Sequence, residues 1–357
     1  MRESVKAAVI GAGVAGLVAA RELQREGHRV TIFEKLHRLG GSWVYDPRVE
    51  DDPLGLDSDR EIVHSSVYLS LRTNLPRHIM EFSDYPFRKI WDPRNFPGHE
   101  EVVSFLNEFA RDFGLVELIR LETEVVRVEA VVDSVWVVES RTSGVSLEEV
   151  FEAVVVCNGH HTEPRLANLP GIERWAGKQV HSHNYRIPEP FRDQIDQVYE
   201  DGTVSFQDGI SVCSDVIFHS TGYKYHFPFL RTNGIVSVED NRVGPLYKHV
   251  FPPQLSPQLS FIGIPYRAIL FHMMELQSKW VAQVLSGKVH LPSKAEMLAD
   301  VQQHYQRMEE CGIPKHHTHR LHPNEFEYLD WLAAQVGVLP VEERLREIYW
   351  QVYQTTS

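Results

Sequence analysis

The sequence predicts an α/β fold built around a parallel sheet. Residues 5–34 read as a strand, a glycine-rich turn, a helix and a second strand, which is the repeating unit of such sheets. The run Phe151–Val156 is almost continuously apolar, as expected of a parallel strand that is buried on both faces. Helices at apolar spacing would cover the sheet, and they are predicted over 99–113, 272–286, 294–310 and 325–336.

The glycines of the first turn have the spacing of a phosphate-binding turn. Gly11 permits the tight turn out of the strand, Gly13 lets the backbone approach a ligand, and Gly16 lets the helix pack close to the strand. A helical run is predicted from Leu17 to Glu26, and the free N–H groups and positive dipole end at its start favour phosphates. Val14 and Ala15, within the turn that leads into this helix, are therefore candidate cofactor contacts. The unit therefore predicts a Rossmann-like domain that binds an adenine dinucleotide.

An acidic residue and a glycine doublet indicate which dinucleotide the site binds. Glu34 lies 18 residues after Gly16 (34 − 16), where a carboxylate accepts hydrogen bonds from ribose hydroxyls. The same carboxylate would repel a 2′-phosphate, so the site suits FAD or NAD rather than NADP. Gly40 and Gly41, followed by Trp43, resemble the doublet that flavoproteins place beside the phosphates, and this resemblance favours FAD.

Two strands end in a turn of a small residue, a polar residue and glycine. Phe151–Val156 runs into Cys157, Asn158 and Gly159, and Ser214–His219 runs into a turn that ends at Gly222. We expect both turns to bring backbone close to a cofactor at the carboxyl ends of the sheet strands, so Gly222 is a candidate cofactor contact. Shorter strands are predicted at Thr123–Val128, Val135–Ser140 and Leu259–Ile264.

Composition excludes several classes of protein. The chain has 357 residues and a formal net charge of −13, which argues against nonspecific binding to nucleic acid. No run of about 18 apolar residues predicts a membrane span, and the N-terminus enters a strand without a leader segment. Three separated cysteines favour a reducing, cytoplasmic location and provide no redox dithiol. Four histidines over 316–322 read as a solvated loop, so no metal site is predicted.

Two further stretches resemble the flavin-containing monooxygenases, and most closely the plant S-oxygenases of methylthioalkyl glucosinolates. The stretch Trp175–Tyr185 matches the family pattern aromatic-x-G-x-x-x-H-x-x-x-Y. Leu71–Arg77 is similar to the segment whose asparagine faces the flavin ring, which makes Asn74 the candidate catalytic residue and Thr73 a cofactor contact. The resemblance covers residues 4–192 and about 198–335, and it assigns a structural role to His181 and His183.

The resemblance implies a flavoprotein of the type with two dinucleotide-binding domains. In this family NADPH reduces FAD, and the reduced flavin activates O2 for transfer of one oxygen atom to a soft nucleophile such as a thioether sulfur. The implied partners are O2 and a small-molecule thioether, plausible substrates being methylthioalkyl glucosinolates.

The second dinucleotide-binding unit, which would hold NADPH, is missing. A βαβ unit needs about 30 residues, and the 30 residues from Tyr185 to Asp215 (215 − 185) already hold a proline-rich loop and a predicted hairpin. The predicted organisation is a discontinuous FAD domain over 1–190 and 205–290, a remnant of the NADPH domain over 191–204, and a helical extension over 291–357.

Three functions remain open at the level of sequence. The first is a flavin-dependent S-monooxygenase. The second is an FAD-binding protein without NADPH-driven turnover, that is, an inactive or truncated paralogue. A flavin oxidase that is reduced by its own substrate is less favoured, because no substrate-oxidising base stands out in the sequence.

Overall fold

A computed structural model describes residues 4–88, 91–131, 135–168, 171–172, 177–189, 203–205, 211–213 and 216–356. Within these ranges the helices are α1 (Val14–Arg25), α2 (His99–Asp112), α3 (Leu270–Leu285), α4 (Lys294–Glu310), α5 (Glu325–Val336) and α6 (Glu343–Thr356). The first strands are β1 (Lys6–Ile10), β2 (Arg29–Phe33), β3 (Ile119–Arg120), β4 (Thr123–Val131), β5 (Val135–Thr142), β6 (Val145–Phe151), β7 (Ala153–Val156), β8 (Glu163–Pro164) and β9 (Lys178–His181). The later strands are β10 (Thr203–Ser205), β11 (Ser211–Cys213), β12 (Val216–His219), β13 (Tyr223–Lys224), β14 (Leu230–Arg231), β15 (Ser237–Glu239), β16 (Arg242–Gly244) and β17 (Leu259–Phe261).

The chain divides into two compact units. The first comprises residues 1–41, 72–159 and 225–357, and the second comprises 42–71 and 160–224. These boundaries follow the packing and do not coincide with the domain ranges predicted from the sequence. The C-terminal helices α4, α5 and α6 belong to the first unit. Most of the predicted remnant, 191–204, lies outside the described residues.

The first unit is organised around a parallel sheet, in which the described strands take the order β17-β7-β1-β2-β3. Every neighbouring pair is parallel, with Ile10 opposite both Phe33 and Val156. All four residues of β7 are buried, which confirms the prediction made from its apolar run. Because the strands are parallel, their carboxyl ends share one edge, and the turn at Gly11 opens at that edge.

A second sheet in the same unit has the described order β14-β4-β5-β6. Its apolar face joins the core of the parallel sheet through Trp136, Val138 and Phe151, all of which are buried. Phe33 meets Phe151 edge to face, with 5.8 Å between the ring centroids. Packing of the second sheet therefore fixes the end of β2, the strand that leads into Glu34.

The predicted strand before Gly222 forms, but it does not join the parallel sheet. β12 pairs in parallel with β9, in the second unit, with His219 opposite His181. Phe218 is 42% exposed, so this strand lacks the burial on both faces that its apolar sequence predicted. The run before Val156 is also divided, because Glu152 separates antiparallel β6 from parallel β7.

The second unit contains two other pairs of short strands within its described residues. β10 pairs with β11, and β13 pairs with β8, both antiparallel. None of the described helices in either unit has the length and apolar character needed to cross a membrane.

Candidate cofactor site

The turn after β1 can be built only with glycine at two positions. Gly11 has φ +103°, and a Cβ there would lie 2.5 Å from the carbonyl oxygen of Cys157. A Cβ on Gly16 would lie 1.8 Å from the carbonyl oxygen of Gly11. Both distances are far shorter than any real Cβ contact. The fold itself therefore requires these glycines, because the turn, the start of α1 and the end of β7 touch through their backbones.

Gly13 differs from its neighbours, since the protein's own packing does not require it to be glycine. Its backbone is extended, with φ −81° and ψ −170°. A Cβ on Gly13 would lie 3.4 Å from the Cα of Gly41, an ordinary van der Waals distance. A small residue there fits the close approach of a ligand to the backbone, which is the role that the sequence predicts for it.

The glycine doublet lies beside this turn. The N–H of Gly40 donates to the carbonyl oxygen of Ala12 over 3.0 Å. Gly41 has φ +57°, and a Cβ there would lie 2.9 Å from the Cα of Gly13. The two glycine segments therefore form one concave backbone surface that side chains would fill.

The N-terminus of α1 lies next to this surface, because Gly13 directly precedes the helix. Val14 and Ala15 are buried, Gly13 provides no side-chain cap, and the first turn contains no acidic residue. The first N–H groups of a helix have no partner within the helix. A phosphate placed at this end would receive hydrogen bonds and a favourable interaction with the helix dipole.

Glu34 is held at the edge of the same turn. One carboxylate oxygen accepts the N–H of Ala12 over 2.7 Å, and the other accepts the N–H of Leu36 over 2.8 Å. Burial raises the pKa of this carboxyl group, while the backbone N–H groups counter part of that shift. These bonds fix the carboxylate beside the turn, in the position expected for a ribose-binding acid.

A third strand end contributes a glycine that the sequence analysis did not single out. Gly263 follows β17, and a Cβ there would lie 3.7 Å from the Cβ of Ala15 and 2.9 Å from Cε of Met274. Its N–H donates to Oε1 of Gln277 over 3.0 Å. The available signal was the same pattern seen elsewhere, a buried strand that stops at a glycine.

Asn74 lies on an exposed tip whose flanks are firmly anchored. The N–H of Thr73 donates to the carbonyl oxygen of Pro97 over 3.0 Å, and its hydroxyl donates to the carbonyl oxygen of Leu75 over 2.7 Å. Asn74 itself is exposed. Three residues later, Nε of Arg77 donates to the buried carboxylate of Glu101 over 2.5 Å. The loop can therefore present Asn74 to a ligand in a defined position.

The family pattern and Gly222 meet within the second unit. His181 is fully buried, and its Nδ1 accepts the backbone N–H of His183 over 3.1 Å. Its Nε2 must then carry the proton, which it donates to the carbonyl oxygen of Gly222 over 3.0 Å. Burial lowers the pKa of His181 to about 4. His183 is also fully buried, 3.0 Å from the carboxylate of Glu50, so both histidines have the environment of structural residues.

Sequence-predicted residues are thus distributed over three places. Those at the turn surface in the first unit are Gly11, Gly13, Val14, Ala15, Gly16, Glu34, Gly40 and Gly41. Thr73 and Asn74 lie on a separate loop of the same unit, and Trp43 and Gly222 lie in the second unit. Trp175 falls outside the described residues. Across the described part of the chain, no group of three or more His, Cys, Asp or Glu side chains is placed to hold a metal ion.

A profile of the flavin-binding monooxygenase-like family matches residues 4–198 and 192–346. The chain belongs to this family. The two matched ranges overlap at 192–198, so the agreement is interrupted where the sequence predicted a missing unit. The family consists of FAD-dependent monooxygenases.

Plant members of the family are similar over almost the full chain. The flavin-containing monooxygenase FMO GS-OX5 of Arabidopsis thaliana is 50% identical over 413 residues, which cover 99% of this chain and 90% of the relative. Because the chain has 357 residues, at least 56 aligned positions (413 − 357) have no residue of this chain opposite them. FMO GS-OX-like 3 from the same organism is 48% identical, covering 96% of this chain and 89% of the relative.

Solved structures agree with this family fold. The S-allyl-L-cysteine S-oxygenase of Allium sativum superposes with a TM-score of 0.95 at 49% identity, covering 99% of this chain and 93% of that one. A flavin-containing monooxygenase of Stenotrophomonas maltophilia has a TM-score of 0.63 at 16% identity, and this likeness concerns the fold alone. The family member described here therefore has the α/β FAD-binding fold of flavin monooxygenases, the class predicted from its sequence.

Proposed function

We propose that the protein binds FAD at the turn surface and transfers oxygen to the sulfur of thioethers. The observation that carries the proposal is the backbone surface formed by Gly13 and Gly41, together with the uncapped N-terminus of α1. Glycine at Gly13 serves no purpose in the protein's own packing, so a ligand that approaches the backbone explains it best. The family to which the chain belongs supports FAD as that ligand.

Each part of the surface has a separate role in this proposal. The N–H groups at Val14 and Ala15 would bind the pyrophosphate, and Gly13 and Gly41 would leave room for it. Glu34 would accept hydrogen bonds from the ribose hydroxyls while Ala12 keeps its carboxylate in place. When bound and reduced, FAD supplies the activation of O2 that oxygen transfer requires.

Asn74 is proposed to orient the reacting groups at the flavin ring. Its side chain is exposed on a loop fixed by Thr73 and Arg77, so an amide with one donor face and one acceptor face is available there. Trp43 and Gly222 are proposed as further contacts to the cofactor. These assignments rest on the motif resemblance described above.

The proposed substrates are small thioethers, in particular methylthioalkyl glucosinolates that are converted to methylsulfinylalkyl glucosinolates. Support for S-oxygenation comes from the Allium sativum relative, which acts on S-allyl-L-cysteine by its name, and from the GS-OX relatives of Arabidopsis thaliana. The glucosinolate substrate is the narrower part of the proposal.

A second candidate function follows from the interrupted family match. At least 56 aligned positions are missing, and the matched ranges meet at 192–198. We infer that most of the NADPH-binding domain is absent, so the chain would bind FAD without being reduced efficiently by NADPH. The two candidates share one cofactor site and differ only in the supply of electrons.

One experiment tests oxygen transfer without depending on NADPH. The FAD-loaded protein is reduced with dithionite under anaerobic conditions, freed of excess reductant, and mixed with O2 and a methylthioalkyl glucosinolate or S-allyl-L-cysteine. Mass spectrometry should detect about one sulfoxide per flavin. Asn74→Ala should lose most of the product, whereas Asn107→Ala, a matched change on α2, should retain it. Hydrogen peroxide without sulfoxide from either substrate would refute the oxygenase proposal and leave the FAD-binding candidate.

A further inference from the structure

Three segments of the first unit converge around the start of α3. The ring of Phe271 lies 5.5 Å from the ring of Phe82, which follows the loop of Asn74. The side chain of His272 bonds the backbone of Ile79 in the same segment. From α6, Arg344 is close enough to His78 to contribute, after burial, to lowering the pKa of its imidazole. The segments 72–82, 262–272 and α6 therefore border one region.

This region lies at the carboxyl edge of the parallel sheet. β17 ends at Phe261, and a Cβ built on Gly263 would lie 3.7 Å from the Cβ of Ala15 at the start of α1. A dinucleotide with its ribose at Glu34, after β2, and its pyrophosphate at the turn after β1 crosses the sheet edge in the direction of β7 and β17. The ring system would continue toward the segment 262–272, so a substrate near the flavin would meet this segment.

Arg267 is the unusual residue of this segment. It is exposed and has φ +61°, a left-handed conformation that non-glycine residues seldom adopt. The flanking chain holds it there, because Tyr266 is hydrogen-bonded in both directions to the strand-like segment at His319 and Leu321, over 3.0 and 3.1 Å. Such conformations are concentrated at ligand-binding and catalytic sites.

The guanidinium of Arg267 has no carboxylate partner among the described residues. It lies over the ring of Tyr353, 5.8 Å from the centroid, which orients the group without neutralising it. Glu325 of α5, whose charge acts on Tyr349 together with that of Arg267, is buried and lies 3.4 Å from Nδ1 of His322. Among the described residues, Arg267 is thus a cation of this region without a carboxylate partner, in a chain whose net charge is −13.

We propose that Arg267 is a specificity-determining residue that binds the anionic group of the thioether substrate. The guanidinium fork matches a carboxylate or a sulfate, and the ring of Tyr353 lies 5.8 Å from the guanidinium carbon. The bound anion would leave the sulfur of the substrate free to reach the flavin ring at Asn74. This inference rests on the proposed oxygenase function and adds the substrate class, namely thioethers with a negative charge.

The test is equilibrium binding to the FAD-loaded full chain, measured by isothermal titration calorimetry and independent of turnover. Methylthiopropionate, methylthiopropanesulfonate and methylthiopropanol share the thioether and differ in the second group. The wild type should bind the anions at least about tenfold more tightly than the alcohol, and the ratio of the two anions identifies the preferred group. Arg267→Asn, which tolerates the left-handed backbone, should abolish the preference without changing the affinity for the alcohol.

Two control variants sharpen this test. Arg267→Lys should recover part of the preference, because the charge is restored without the planar fork. Arg307→Gln removes an equivalent charge from α4 and should leave all three affinities unchanged. A preference that survives in Arg267→Asn would overturn the assignment while thioether binding stands. Failure of the wild type to bind any of the three thioethers would overturn the proposed oxygenase function as well.

Discussion

At the residue scale, the glycines of the turn surface serve two different purposes. Gly11 and Gly16 are required by the fold, because a Cβ at either position would collide with a backbone carbonyl. Gly13 has room for a Cβ atom and an extended backbone that any residue adopts. The motif spacing identified all three, but only the structure separates the two glycines that the fold requires from Gly13, for which we propose a role in binding the ligand.

This distinction predicts different outcomes for two substitutions. Gly13→Val should give a folded but colourless protein, with FAD affinity reduced by more than about tenfold, or roughly 1.4 kcal/mol of binding free energy. Gly16→Ala should instead lower the stability of the apoprotein, because the new Cβ has no space. Flavin absorbance and thermal unfolding of the purified apoproteins measure the two effects. Wild-type protein that stays colourless with added FAD would contradict the cofactor assignment.

The buried imidazole of His181 predicts that the folding stability of the protein depends on pH. His181 is neutral in the folded protein, with a pKa of about 4 against an ordinary value of 6.5. Below pH 6.5 the unfolded chain takes up a proton that the folded chain refuses, so stability falls as the pH drops from about 6.5 to 4. The loss is on the order of 3 kcal/mol at most, since one pKa unit is worth about 1.4 kcal/mol.

The measurement is urea unfolding as a function of pH. His181→Gln keeps a donor for the carbonyl oxygen of Gly222 and removes the titrating group. Its stability should therefore decline less than that of the wild type over the same acidic range. Parallel pH profiles for the two proteins would show that another group causes the acid sensitivity.

At the element scale, helices with regular apolar spacing and clear ends were predicted almost to the residue. α4 begins with a capping box between Ser293 and Glu296, and α5 ends at Gly337 in the left-handed conformation. α6 was predicted only as part of the helical extension over 291–357, without bounds of its own, because its first half is mainly charged and its aromatic residues cluster at the end. In the tertiary structure Tyr349 of this helix is buried against Phe326, with 5.6 Å between the ring centroids. The sequence of the helix does not reveal this packing.

Strand pairing was the less predictable property. The apolar runs located β7 and β12 correctly, yet only β7 joins the parallel sheet. The partner of a strand can lie far away in the sequence. β12, for example, pairs with Lys178–His181. The roles of Gly222 and Trp43 stay predictions for this reason. The role of Arg267 had no signal in the sequence, because its conformation is imposed by the chain on either side.

A buried ionic network joins α1 to α3. Arg21 is 1% exposed and contacts Glu22 at 2.8 Å, Asp84 at 2.8 Å and Glu275 at 3.0 Å. Burial alone would raise the pKa of Glu275, but Lys279 and Ser83 hold it below its ordinary value. The helix that follows the turn surface is therefore tied to α3 through the buried guanidinium of Arg21.

We expect Arg21→Met to lower the free energy of unfolding by about 3 kcal/mol, because Glu275 loses a buried counter-charge. Adding Glu275→Leu should recover most of this loss, since Glu22 and Asp84 still pair with Arg25. Urea unfolding of the two variants gives the comparison. Arg94→Ala, which removes an exposed pair with Asp92, should cause no measurable change. If the double variant has a lower free energy of unfolding than Arg21→Met alone, the explanation is refuted.

At the scale of the whole molecule, the site combines one local motif with distant contributions. Residues 5–41 supply the turn surface and Glu34, which is why the sequence alone located them. Asn74 was identified only by resemblance, and Gly263 only by its position beside Ala15. The family assignment and the interrupted match at 192–198 both agree with the sequence prediction.

We predict that NADPH reduces the flavin of this chain very slowly or not at all. Hydride transfer requires the nicotinamide to be held against the flavin, and such positioning contributes roughly 7–11 kcal/mol to lowering the barrier in favourable cases. The glycine turn is assigned to FAD, and Glu34 disfavours a 2′-phosphate. Anaerobic stopped-flow spectroscopy measures the rate. Rapid, saturable bleaching at the rate of an intact relative would contradict the inferred loss of the NADPH domain.

The parallel sheet also determines when the protein can fold. β1 pairs with β7, whose partner on the other side is β17, so Ala8, Val154 and Leu259 become neighbours across most of the chain. Contacts this distant in sequence slow folding, because a long loop must close before they form. During synthesis the edge of β7 stays open until β17 has left the ribosome. A chain released before Leu259 would carry a fully apolar strand with one open edge, and we expect such fragments to aggregate.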